Sequence, residues 1–215
     1  VRTEPGNRAL DRDCLPLPLS KDCRMSDSNE IFNYLAVLFS IILGLAVTEV
    51  LQGFRRLLLL RRRVVVYWPS ILWAFNLLVI CAQTWWTMFG LRDETGWTFG
   101  MYAIVLVQTA LLYLVAGLSL SGMDEESGYD MRRAYFDNAR PFFLLLVGLV
   151  AASLIKDVII NGHLPDATNL VFHAVFALCA TIAAATRNET YHKINAPAVA
   201  LALGAYVVML FDHIS

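Results

Sequence analysis

The chain has 215 residues, of which 58% are hydrophobic and only 16% charged, and its mean hydropathy is +0.57. A soluble domain of this length would carry roughly a quarter charged residues, so an ordinary soluble domain is excluded, alone or beside the apolar part. The net charge of -1 argues against nucleic-acid binding, which requires a basic footprint.

Residues 1–24 are polar and contain proline, with no apolar run that would make a secretory signal. Met25 follows at once, so translation is expected to start there. Residues 1–30 are expected to be a disordered tail ahead of one membrane domain at 31–215. Cys14 and Cys23 fall in the tail, and Cys81 and Cys179 in apolar runs. Their spacing suggests neither a disulfide framework nor a metal site.

Six apolar runs follow, at about 31–54, 68–89, 98–120, 141–160, 168–186 and 195–213. Each approaches the ~20 residues a helix needs to cross a ~30 Å hydrocarbon core. They are continuously apolar rather than alternating, which favours helices over barrel strands. The expected fold is therefore all-α, a polytopic bundle of six transmembrane helices. Pro69, Pro141 and Pro197 are expected in the first turns of their helices, where a missing N–H costs nothing.

The connections set the direction. Arg55, Arg56, Arg61, Arg62, Arg63, Arg132, Arg133, Arg140, Arg187 and Lys193 lie in the odd loops, ten basic residues against Arg92 and Lys156 in the even ones. By the positive-inside rule the odd loops are cytoplasmic and both termini lie outside. Trp85, Trp86, Trp97, Phe99 and Tyr102 would mark one interface, and Tyr67 and Trp68 the other.

Residues 32–45 (FNYLAVLFSIILGL) and 136–149 (FDNARPFFLLLVGL) share Phe32/Phe136, Phe39/Phe143, Gly44/Gly148 and Leu45/Leu149 at one offset. Cys81-Ala82 and Cys179-Ala180 also correspond. The matches suggest a weak 3+3 repeat, inverted in the membrane because three is odd. Ser40, Gly44 and Thr48 form a small-residue stripe, and Gly148 and Ala152 another, so helices one and four are expected to pack closely.

Ionisable and amide side chains at membrane depth are costly and mark candidate sites. One group is Glu49 with Gln52, about two turns inside the cytoplasmic edge. Glu49 would line a path, or would merely turn to Arg55 or Arg56. Another group lies toward the outer side: Gln83, Lys156, Asp157, His173, Asp212 and His213. Lys156 with Asp212 would be a neutralised pair, and His173 could share protons near neutral pH. Asn76, Gln108 and Thr109 lie between the two groups, where amides commonly join helices. Haem ligation by His173 and His213 is conceivable, but the sequence gives no motif for a cofactor or metal, and none is expected.

The segments FNYLAVLFSIILGLAVTEVLQGF, YWPSILW, QTWWTMFGLRDETGWTF and RRAYFDNARPFF resemble a widespread set of small bacterial six-helix inner-membrane proteins of unknown function. The resemblance covers most of residues 31–145. It implies a one-domain membrane protein and brings no activity.

Two functions remain open. The first, which the charges at membrane depth and the suggested repeat favour, is a small-solute or ion transporter or channel, for which six helices are few, so that a homodimer would be required. The second is a non-catalytic scaffold, sensor or accessory subunit acting through cytoplasmic loops, such as the acidic-then-basic segment 122–140. No catalytic set of acid, base and nucleophile is visible.

Overall fold

A computed structural model describes residues 21–93, 96–121 and 129–212, with side chains at 32–92, 96–121 and 130–208. Six α-helices run in order: α1 (Lys21–Leu59), α2 (Trp68–Phe89), α3 (Phe99–Ser119), α4 (Met131–Asn161), α5 (Ala167–Ala185) and α6 (Glu189–Asp212). A short 3-10 turn, Gly90–Asp93, extends α2. Two-residue strands, β1 (Val64–Val65) and β2 (Tyr129–Asp130), pair in parallel and tie the first loop to the third.

Five segments are long and apolar enough to cross a membrane: Phe32–Leu59, Trp68–Arg92, Phe99–Ser119, Met131–Asn161 and Ala167–Ala185. The chain is thus a multi-pass helical membrane protein. Among the described residues α6 does not meet the same measure; its first turns carry Glu189, His192 and Lys193.

Three boundaries differ from expectation. Helix α1 begins at Lys21, ten residues ahead of the expected start at 31. No glycine or proline intervenes between Pro18 and Gly44, and extending an existing helix is far easier than nucleating one. Residues 1–20 lie outside the described residues. Helices α4 and α6 start before their apolar runs, which places Pro141 and Pro197 inside continuous helices. Each removes one backbone hydrogen bond, and only Pro69 occupies a first turn.

Local chemistry explains the starts. The Asp130 carboxylate accepts from the backbone N–H of Arg132 at 2.9 Å and of Arg133 at 3.3 Å. Asp166 caps α5 through Asn169 N–H, and Thr98 caps α3 through Met101 N–H. Helix α4 ends at Gly162, whose φ of 73° is the left-handed conformation a glycine cap adopts.

The helices form a ring in which α1 packs on α3, α3 on α4, α4 on α5, α5 on α6, α6 on α2 and α2 on α1. Helix α2 also reaches α3 and α4 across the ring. It contributes Trp73, Ala74, Leu77 and Cys81 to the buried core, where Trp73 meets Phe142 and Phe143 edge to face at 5.6 and 5.2 Å. The two triplets do not pack alike. Helices α1 and α3 are principal neighbours, whereas α4 and α6 meet through side chains of their first turns.

The expected contact of α1 with α4 is not formed as a principal packing. Ser40, Gly44 and Thr48 are exposed, and nothing lies within 4 Å of a Cβ placed on Gly44. The Thr48 hydroxyl donates to the Gly44 carbonyl of its own helix at 2.7 Å, so it needs no second helix. Gly148 faces Leu111 of α3, and Ala152 is buried. The close approach of α1 is instead at Gly53, where an added Cβ would fall 2.6 Å from the Leu120 Cβ at the end of α3. Gly53→Ala should therefore cost about 1–3 kcal/mol through overpacking. Gly44→Ala should be neutral or stabilising, by up to about 1 kcal/mol, from helix propensity. Unfolding of both variants in mild detergent checks the contrast; equal effects would contradict it.

Candidate functional site at the first turns of α4 and α6

Helix α6 places His192 one turn inside its start. Residues 192, 195, 196 and 199 are all buried, a spacing that defines one helix face. His192 has no solvent exposure and is surrounded by Tyr135, Phe136, Phe143 and Tyr191, with ring centroids 5.2–5.8 Å away.

Both ring nitrogens are engaged. Nε2 lies 3.0 Å from the Thr186 carbonyl, an acceptor, so it must carry the proton. Nδ1 is then the acceptor for the Tyr135 hydroxyl at 2.9 Å. The ring is neutral in this arrangement, and burial holds its pKa below the usual 6.5, partly offset by the bond to Thr186.

Two further layers enclose the pair. The Tyr67 ring lies 5.2 Å from that of Tyr135, tilted by 55°; its hydroxyl has no partner among the described residues. Burial, then the charge of Glu189, pushes its pKa up to about 12. Outside, Glu189 accepts from Arg132 at 2.8 and 3.1 Å and from Lys193 at 2.9 Å. Both cations hold its carboxyl below the ordinary carboxylate range. Arg132 also lies 5.9 Å over the Phe136 ring.

Beside this cluster is a crevice lined by Ser70, Trp73, Ser121, Tyr135 and Asn138, with a cavity of about 20 Å³. That is room for about one water molecule. Ser70 donates to the Ser119 carbonyl at 3.3 Å, and Asn138 to Ser121 at 3.2 Å and the Ala134 carbonyl at 3.1 Å.

The residues picked out by sequence are dispersed around this cluster rather than gathered in it. Glu49 is half-buried; Arg55 and Arg56 are exposed and do not pair with it. Gln52 is exposed. Gln83 is half-buried and its amide nitrogen is unpartnered among the described residues. Lys156 and Asp157 are half-buried near the end of α4. His173 bonds the Asn169 carbonyl through Nδ1 at 2.9 Å and Ser153 of α4 through Nε2 at 3.4 Å. This joins α5 to α4 one turn before Lys156. The Asp212 side chain and His213 lie outside the described residues, so the Lys156–Asp212 pair and paired haem ligation do too. Nearer mid-depth, Asn76 donates to the Ala196 carbonyl at 3.4 Å, and Thr109 bonds its own helix at Val105 and Leu106. Among the described residues no three His, Cys, Asp or Glu side chains converge as a metal site would require.

His192 was the residue missed by sequence reading. The available signal was its register with Asn195, Ala196 and Val199, partly masked by the polar neighbours Glu189 and Lys193.

No family model, curated protein or solved structure matches the chain.

Because the folded state holds His192 neutral, unfolded chains bind its proton more readily. Stability from this site is full above the unfolded pKa of about 6.5 and is lost as pH falls through the lower folded value. Melting temperature in detergent should drop more steeply below pH 6.5 for the wild type than for His192→Gln. Parallel curves would show that His192 does not carry the acid sensitivity.

Proposed function

We propose that this protein is a non-catalytic membrane scaffold or accessory subunit that works through the loop-bearing end of its bundle. In this reading α6 is the sixth crossing, both termini lie outside a bacterial inner membrane, and the odd loops face the cytoplasm. The observation that carries it is the use of interior polar groups. Asn76 joins α2 to α6, His173 joins α5 to α4, and Tyr135 with His192 joins α4 to α6. These groups are committed to helix contacts, and the crevice beside them has space for about one water rather than a solute. At the same end the paired strands and the Arg132–Glu189–Lys193 cluster fix the loops relative to one another.

A transport reading keeps one specific support, the half-buried Glu49, which no cation neutralises among the described residues. A path past it would need walls from a second copy, since α1 turns Ser40, Gly44 and Thr48 outward.

The two readings separate in liposomes carrying a pH-sensitive dye under an imposed potential. The scaffold reading predicts proton and monovalent-cation leak equal to that of empty liposomes, unchanged in Glu49→Gln. A leak above the empty control that disappears in Glu49→Gln, with the same melting temperature, would replace it with transport.

A further inference from the structure

We propose that Arg61, Arg62, Arg63 and Arg133 form a binding surface for anionic phospholipid headgroups. The inference rests on the membrane reading of the helices and holds whether or not the bundle conducts.

All four side chains are exposed and stand in no ion pair among the described residues. The backbone pairing brings them together: Val64 is in register with Tyr129 and Val65 with Asp130. Arg63 thus immediately precedes one paired strand, and Arg133 lies one helical turn after the other. Arg132, between them, differs because Glu189 neutralises it.

The surroundings identify the partner. Leu58, Leu59, Val65 and Val66 are exposed beside the arginines, and Trp68 begins the next helix half-exposed. Such a mixture suits neither bulk water nor hydrocarbon. It suits the interfacial zone, where apolar side chains meet acyl chains and indoles sit at headgroup level. This patch ends two helices of membrane-crossing length, so its nearest anions are lipid phosphodiesters. The planar guanidinium binds a phosphate through two N–H donors at once. Clustered basic residues next to a transmembrane helix gain roughly fivefold in binding per residue at an anionic surface, an attraction that salt screens.

Native mass spectrometry of the full chain, with equimolar phosphatidylglycerol and phosphatidylcholine added in detergent, tests this. Wild type should carry phosphatidylglycerol in preference by roughly tenfold or more. R61Q/R62Q/R63Q should lose that preference while melting at the wild-type temperature in phosphatidylcholine. Should the variant melt lower, the single change R133Q serves, with a several-fold loss expected. Equal uptake of the two lipids by wild type would overturn the proposal, as would an undiminished preference in both variants. Displacement of the lipid by millimolar inorganic phosphate would reassign the patch to free anions and overturn it. A preference seen only in D124N/E125Q/E126Q would make the chain's own acidic segment the occupant, with the same consequence.

Discussion

A histidine buried with both ring nitrogens satisfied fixes how α6 meets the rest of the bundle. Helix association inside a membrane has no hydrophobic drive of its own, because lipid is as apolar as leucine. Orientation then falls to packing shape and to a few polar contacts that must be met together. His192 meets two: the Thr186 carbonyl just beyond α5 and the Tyr135 hydroxyl of α4. An alternative rotation of α6 would leave a buried donor and a buried acceptor unmet, at about 1–3 kcal/mol each. Glu189 reinforces the choice from the water side, since it bonds Arg132 of α4 while sharing a helix with His192.

Helix α2 complements this arrangement. It supplies the large buried side chain Trp73 and the amide Asn76, which reaches the Ala196 carbonyl one turn beyond His192. Helices α4, α5 and α2 therefore all hold α6 within its first two turns. Residues 200–208 of α6 are exposed or half-buried, as in a lipid-facing helix.

What the sequence shows and conceals follows from this division. Apolar length reports membrane partition directly, so the positions of helices two, three and five were legible from composition. The starts of α4 and α6 were not, because Met131–Arg140 and Glu189–Asn195 are polar enough to read as loop. The small-residue stripe misled for a physical reason: Thr48 satisfies itself on the Gly44 carbonyl, so small and polar does not entail a partner helix. Gly53 carried the real close approach with no stripe to announce it. Charged residues at depth drew attention to Glu49 and Lys156, whereas the most consolidated polar contact uses a neutral histidine and a tyrosine. A neutral histidine within the polar stretch Glu189–Asn195 leaves no mark of its own in hydropathy.

The functional reading depends on the same contact, since a loop platform requires that its helices meet in one way. The most direct measurement is a double-mutant cycle of Tyr135→Phe and His192→Gln, followed by unfolding in mild detergent. A shared hydrogen bond at full burial predicts a coupling of about 1–2 kcal/mol, with the double variant less destabilised than the sum of the single ones. Additive effects would show that the two side chains do not act together and that their contact does not hold α4, α5 and α6 in place.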